Sequence, residues 1–424
     1  MDLTPIEEKL AGGDIQGAVT ALRAAMGHPQ VAGPDAWRET AELLVRIAGD
    51  DAPDLARCAR RLAADPDALQ ALYDTGFQLF EVGLFDLAAA AFARAEAGSP
   101  GLGPIVSELV ASLEELGRYD EASHLLQRHP QLLDDGFLFV YLAAFNGILA
   151  GKPERARELL PRLQPSDDRE RFMADRIHRM LARVAHIRPV TGLGCVDLRG
   201  WHYALTGGAL LHLSSAGYED AMRGRYAYVQ DRLSLCRAAV DQVASLLRAT
   251  GKMPERILLL PERGSEALGR ALASVLSLPT ADFAPEATGL GVAYDLDSLP
   301  MQLQVALRHH RPDQRLWAHA TCWTTPPICA PDIVTYLYQV NAAPWEPGLG
   351  LDDDAPSAVT GGAEQLTAAI LAADPEAEDA HPEQRAPLWA ALATAQGRAE
   401  AALSRETGTR ERLWYMGPVF SNRF

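Results

Sequence analysis

The sequence predicts a two-part protein, an α-helical repeat half followed by an α/β domain with a small, mainly parallel sheet. Three observations predict it. Glycines recur 34 residues apart in the first half, at Gly83, Gly117 and Gly151. That period stops near Pro189. From residue 255 onward, short apolar runs alternate with amphipathic stretches, as expected of strands joined by helices. The 424 residues suffice for two or three domains and for a core that needs no staples. With 48% hydrophobic and 22% charged residues, the chain has the balance of a globular protein.

The first element is a helix–turn–helix pattern over residues 75–100. Gly76 is followed by Gly83, Phe85, Ala88, Phe92 and Pro100. Small residues let two helices approach, aromatic residues fill the gap between them, and the closing proline ends the second helix. The pattern keeps phase downstream. Tyr119, Ala122 and Leu126 follow Gly117, and Pro153, Ala156 and Leu160 follow Gly151. Upstream, Pro66 lies 34 residues before Pro100, and Gly13 opens a further copy with Ile15, Ala18, Leu22 and Ala25. A worn copy surrounds Gly49.

These residues and their spacing resemble the tetratricopeptide repeat, a helix–turn–helix unit of 34 residues. The resemblance implies a solenoid over residues 1–187, in which each repeat buries a face of the next. It also implies a concave groove of the kind that commonly binds peptides or partner proteins.

Residues 188–343 are read as the α/β domain. Gly192, Gly194, Gly200, Gly207, Gly208 and Gly217 argue against helix over 188–217, where Ala209–Leu213 reads as a strand or a buried loop. Trp201, His202 and Tyr203, beside Gly200, supply either a pocket wall or an interdomain plug. Residues 219–250 return to helical spacing, with Leu233, Val240, Val243, Leu246 and Leu247 on one face. Ile257–Leu260 reads as a strand buried on both faces. A helix over Glu266–Leu276, a strand over Leu290–Leu296, a helix over Gln302–His310 and a strand over Arg315–Thr321 follow. Residues 344–424 are read as a linker (344–363), two helices (363–373 and 385–405) and an apolar end, Leu413–Phe420, that docks on the α/β domain.

Two turns in the α/β segment carry candidate ligand residues. Arg263, Gly264 and Ser265 lie between the strand Ile257–Leu260 and the next helix. Asp295 and Asp297 close the following strand. Each has an ordinary structural role as well, Ser265 as a helix cap and the aspartates as polar caps of the helix after them. Residues 255–335 resemble a degenerate phosphoribosyltransferase core. That resemblance implies pyrophosphate at Arg263–Ser265 and ribose hydroxyls on Asp295 and Asp297. The sequence departs from the family's pattern at two places. Leu296 separates the two acids, and Ser298-Leu299-Pro300 stands where the family has a glycine-rich phosphate cradle. Pro300 donates no N–H to a phosphate. No catalytic residue is assigned.

No phosphate-binding loop of the Walker type, dinucleotide fingerprint, Gly-x-Ser-x-Gly elbow or His-Glu-x-x-His helix occurs. His319, Cys322 and Cys329 come nearest to a zinc set, but their spacing matches no zinc signature and a fourth ligand is not evident. We therefore expect no metal and no cofactor. The five cysteines are few and scattered, as in reducing compartments. With an acidic start that lacks a secretory signal, the chain reads as cytoplasmic. No apolar run reaches the ~18 residues that span a bilayer. A net charge of −17 argues against nucleic acid and anionic membranes as partners.

The expected function is thus a non-catalytic interaction scaffold that binds a protein or peptide through its repeat groove. The alternative is an enzyme or sensor that binds a phosphoribosyl or nucleotide ligand.

Overall fold

The computed structural model describes residues 4–29, 32–215, 222–311, 313–325, 327, 329–346, 360–376, 379–395, 408–410, 412 and 417–421. Most of the linker expected over 344–363, the end of the helix expected over 385–405, and Leu413–Met416 of the apolar end lie outside the described residues. The chain divides into two compact units, Met1–Ala174 and Asp175–Phe424. Residues 175–187, expected with the repeats, belong to the second.

The first unit is helical. Its elements are α1 (Thr4–Ala11), α2 (Ile15–Met26), α3 (Pro34–Ala48), α4 (Pro53–Ala64), α5 (Leu69–Glu81), α6 (Phe85–Gly98), α7 (Gly103–Glu115), α8 (Tyr119–Arg128), α9 (Phe137–Leu149) and α10 (Pro153–Leu159). Successive helices pack as neighbours, α3 on α4, α5 on α6, and α9 on α10.

The glycine period has a local cause. Gly13, Gly83, Gly117 and Gly151 each take a left-handed conformation, with φ of 78°, 77°, 69° and 75°. The residue after each glycine donates its N–H to the carbonyl five positions back: Asp14 to Lys9, Leu84 to Leu79, Arg118 to Leu113, Lys152 to Gly147. These bonds satisfy carbonyls that the helix end would leave unpaired, and glycine reaches the required φ without a Cβ clash. Gly49 ends α3 differently, with φ 49° and ψ −134°, as its worn pattern suggests.

Within the α5–α6 pair the small and aromatic positions fit together. Phe92 and Ala88 are fully buried. A Cβ on Gly76 would stand 2.9 Å from the Phe92 ring, closer than carbon atoms pack. At the turn, the Phe80 and Phe85 rings meet edge-on at 5.1 Å. The helix α9 is apolar on nearly every face and almost wholly buried. Tyr141 stacks there between Phe137 and Phe145.

The second unit is built on a parallel sheet. The helix α11 (Asp168–Thr191) runs through Pro189, so the helix does not stop where the repeat period does. It is followed by α12 (Leu198–Thr206), β1 (Ala209–Leu210), β2 (Tyr226–Gln230), α13 (Leu233–Thr250), β3 (Ile257–Leu259), α14 (Arg263–Leu276), β4 (Thr280–Asp282), β5 (Gly289–Asp295), α15 (Met301–Arg308), β6 (His309–His310), β7 (Gln314–Cys322), β8 (Ile333–Ala342), α16 (Ala363–Ala372), α17 (Arg385–Thr394) and β9 (Gly408–Thr409). The seven-stranded sheet has the order β1-β8-β7-β5-β3-β4, with β2 also on β8. Every pairing in it is parallel. The strands β6 and β9 form a separate antiparallel pair.

Two expectations are corrected here. The glycines of 188–217 do not exclude helix, because α12 runs through Gly200. A Cβ there would lie 2.2 Å from Asp197 Oδ2, whose carboxylate caps α12 by accepting the Gly200 N–H. The glycine makes room for the cap. Gly207, with φ 76°, ends the helix. The stretch 219–250 is not helical throughout, since β2 precedes α13 and pairs with β8. Its aromatic and β-branched residues outweigh the helical spacing downstream. Trp201 and Tyr203 are buried, and Tyr203 packs near His186 of α11. At the apolar end Val419 is buried and its carbonyl accepts from Arg225 at 2.9 Å.

Candidate functional site

Two places in the structure gather candidate functional side chains, one in each unit. In the first unit they lie on α5 and α7. Tyr73, Phe77 and Glu81 follow one another at four-residue spacing and so share a face of α5. Phe77 is 39% exposed, a high value for a large aromatic. Glu108 of α7 faces this row. Burial, and after it the charge of Glu81, pushes the Glu108 carboxyl above its ordinary range. Burial and the charge of Glu108 likewise raise the Tyr73 phenol. Among the described residues neither Glu81 nor Glu108 has a cation within ion-pair distance. Asp74, by contrast, is paired with Arg61 at 2.8 Å.

In the second unit the side chains gather at the carboxyl ends of the parallel strands, where open α/β sheets commonly bind ligands. The turn Arg263–Ser265 begins α14. Its helix cap is Glu262, not Ser265. The Glu262 carboxylate accepts the N–H groups of Gly264 and Ser265, each at 2.7 Å, and the Ser265 hydroxyl at 2.7 Å. It thereby fills the position at the helix N-terminus that a phosphate would take. Ser265 Oγ in turn accepts the Tyr294 N–H at 2.9 Å and ties α14 to β5. The Trp345 indole lies against Gly264, where a Cβ would come within 2.2 Å of the ring. Arg263 reaches the Gly361 carbonyl at 3.3 Å.

Asp295 and Asp297 are neighbours, but they join strand ends rather than cap α15, whose cap position is Pro300. The Tyr338 hydroxyl of β8 donates to Asp295, at 2.8 and 2.7 Å from its two oxygens. Asp297 Oδ2 accepts the Cys322 N–H at 2.7 Å and the Thr321 hydroxyl at 3.1 Å, both from β7. Burial pushes the Asp297 carboxyl up to about 6, and the charge of Asp295 adds to that. Burial also raises Asp295, while the bond from Tyr338 opposes the rise.

The deepest polar group was not legible as a group in the sequence. Asp231 follows β2, Cys236 lies in the first turns of α13, Tyr294 is on β5 and His319 is on β7. Asp231, His319 and Cys236 have no exposed surface. Asp231 Oδ2 meets the Tyr294 hydroxyl at 2.7 Å, His319 Nε2 at 3.0 Å and Cys236 Sγ at 3.3 Å. The Arg232 N–H reaches Oδ1 at 2.7 Å. Burial works against the charge on Asp231, yet His319 and the donated hydrogen bonds outweigh it and hold the carboxyl below its ordinary range. Burial and the neighbouring Asp231 raise both the Cys236 thiol and the Tyr294 phenol. Rings of Tyr294, Trp317 and Tyr336 surround His319, with centroids 5.4, 6.3 and 5.0 Å away.

The set His319, Cys322 and Cys329 is not brought together. Cys322 Sγ lies by Thr324, and Cys329 sits in an apolar cluster with Leu260 and Leu316. Among the described residues, Asp231, Cys236 and His319 are the group whose donor atoms could share a metal ion. The only sequence signal for this would have been an aspartate between a strand and a helix that carries a cysteine in its first turns.

No family model matches the chain, and no curated protein matches it. Among solved structures, MamA of AMB-1 is 23% identical over 38% of this chain and 92% of that one, with a TM-score of 0.25. MamA of MSR-1 is 21% identical over 41% of this chain and 94% of that one, also with a TM-score of 0.25. Similarity at this level carries no functional weight. Among the described residues no helix is long and apolar enough to cross a membrane.

Proposed function

We infer that the protein is a non-catalytic scaffold whose helical unit, a tetratricopeptide-like solenoid, holds a basic segment of a partner protein. The observation that carries this reading is the like charge of Glu81 and Glu108, close enough for one to raise the other's carboxyl and, among the described residues, without an ion-pair partner, on the helix that exposes Phe77. A Lys or Arg side chain placed between them would relieve their repulsion, and its stem or an adjoining apolar residue would cover Phe77. The in-phase glycines and the repeated turn support the solenoid. The five unbridged cysteines favour a cytoplasmic setting.

The test is a fluorescence-anisotropy titration of the full chain with a panel of labelled peptides. The panel pairs Lys/Arg-rich sequences carrying one aromatic residue with acidic sequences of equal length. Basic peptides should bind, with affinity that falls as salt rises, and Glu81→Lys with Glu108→Lys should abolish binding. Equal binding of acidic and basic peptides, or retention by the double variant, would remove the reading.

The second reading places a phosphoribosyl or nucleotide ligand at Arg263, Gly264, Ser265, Asp295 and Asp297. Their position at the carboxyl ends of β3 and β5 favours it. The Glu262 carboxylate on the N–H groups of Gly264 and Ser265 works against it. A thermal shift with phosphoribosyl pyrophosphate and Mg²⁺ that vanishes in Asp295→Asn, Asp297→Asn would restore this reading.

A further inference from the structure

We propose that Asp231, Cys236 and His319 form a zinc site buried in the α/β unit.

The geometry comes first. Sγ of Cys236 is 3.3 Å from Asp231 Oδ2 and 3.9 Å from His319 Nε2, and the last two atoms are 3.0 Å apart. A point equidistant from all three atoms lies about 2.0 Å from each, against zinc–ligand bonds of ~2.0–2.3 Å for nitrogen, oxygen and sulfur donors. Three donor atoms from three separate elements thus surround one ion-sized position.

The hydrogen bonding points the same way. Without a metal ion, three polar groups, Tyr294, His319 and Cys236, crowd Asp231 Oδ2, while a carboxylate oxygen offers two lone pairs. With an ion bound to His319 and Cys236, Oδ2 keeps one metal bond and one hydrogen bond from Tyr294. That is the outer support typical of a ligating carboxylate.

The histidine adds a second observation. His319 is fully buried, and its Nδ1 has no hydrogen-bond partner. The rings packed around His319 are aromatic, with Tyr336 nearly perpendicular at 79°. A ring face can accept a weak N–H contact but offers nothing to a lone pair. A proton on Nδ1 leaves the Nε2 lone pair aimed at the Asp231 carboxylate. Two lone pairs at 3.0 Å need a proton or a metal ion between them, and the third donor, Cys236 Sγ, suits the metal ion. The mixed nitrogen, oxygen and thiolate donor set suits zinc over magnesium or calcium. Three protein ligands leave one tetrahedral corner for a small exogenous ligand.

The experiment uses the full chain, purified without chelators or immobilised metal. Elemental analysis should find about one zinc per chain. Cobalt replacement should give a thiolate-to-metal charge-transfer band in the near ultraviolet. Cys236→Ser and His319→Gln should lose the metal, whereas Cys322→Ser and Cys329→Ser should keep it. Should the first two variants fail to fold, Tyr294→Phe keeps all three ligands and should weaken zinc binding ~10–100-fold. Wild-type protein that contains no metal and shows no cobalt band after refolding with excess zinc or cobalt would overturn the proposal. The trio would then be a buried aspartate–imidazolium pair. Metal retained by folded Cys236→Ser would overturn it equally.

Discussion

The Phe92 ring of α6 lies over the Cα of Gly76 on α5, so close that a Cβ on Gly76 would stand 2.9 Å from it. Glycine at this position is a packing requirement of the helix pair, since its φ is not in the left-handed region. Gly76→Ala forces the ring or the helix to move and should cost ~1–3 kcal/mol as overpacking. Phe92→Leu leaves a smaller neighbour, and in that background Gly76→Ala should cost measurably less. Urea denaturation of the four proteins in this cycle reads the coupling directly. Additive losses would show that the two residues do not share the space.

The left-handed turn glycines make a second, independent prediction. Gly117 has φ 69°, and a side chain there meets its own backbone. Gly117→Ala should destabilise the protein by ~1–2 kcal/mol. Gly98 has no positive φ and nothing near its Cβ position. Gly98→Ala should therefore be neutral or stabilising, and thermal melts of the two variants should move in opposite directions or differ by several degrees.

Glu262 caps α14 through Gly264 and Ser265. Glu262→Ala should cost ~1 kcal/mol through the lost cap. The same change leaves two backbone donors unpaired at a helix N-terminus. Sulfate should then stabilise the variant and leave the wild type unmoved, because the wild-type carboxylate already fills that place. A sulfate effect on the wild type would mean that Glu262 yields to anions.

Asp297 predicts a pH dependence with a definite sign. Its folded value of about 6 stands above the unfolded value of 3.8. Between those values the folded state binds more protons than the unfolded one. Stability from this group is therefore full below about pH 4 and is lost as pH rises through about 6, by ~3 kcal/mol. Asp297→Asn should flatten this segment of the stability–pH curve. Its amide oxygen can still accept from Cys322 and Thr321. Guanidine melts from pH 4 to pH 7 would read it, and an unchanged slope in the variant would assign the dependence elsewhere.

Charge reversal at Glu81 separates stability from binding in the helical unit. Glu81→Lys replaces a like charge near Glu108 with an opposite one. Because Glu81 is exposed and Glu108 is half-buried, water screens the pair and the stabilisation should not exceed ~1 kcal/mol. Peptide affinity should fall in the same variant. A variant that lost both stability and binding would point to a structural role for Glu81.

The sequence by itself determined the helical pairs of the first unit and the parallel alternation of the second. Both follow from local rules. A left-handed turn needs glycine, so Gly83, Gly117 and Gly151 mark that turn between successive helices. A strand buried on both faces needs an unbroken apolar run, so Ile257–Leu259 and the strand ending at Asp295 stand out. The same rules misread Gly200, whose missing side chain serves the Asp197 carboxylate, and they missed β2, whose pairing with β8 overrides local spacing. What only the tertiary structure decided is which polar residues meet. Glu262 reaches the turn that the sequence offered to a phosphate. His319 turns from Cys322 and Cys329, its neighbours in sequence, to Asp231 and Cys236, which lie 88 and 83 positions away. Side chains alternate across a strand, so nearness in sequence does not place His319 and Cys322 together. Donors that converge from β2, α13, β5 and β7 share no local period, and only the packing of those elements brings their atoms to one point.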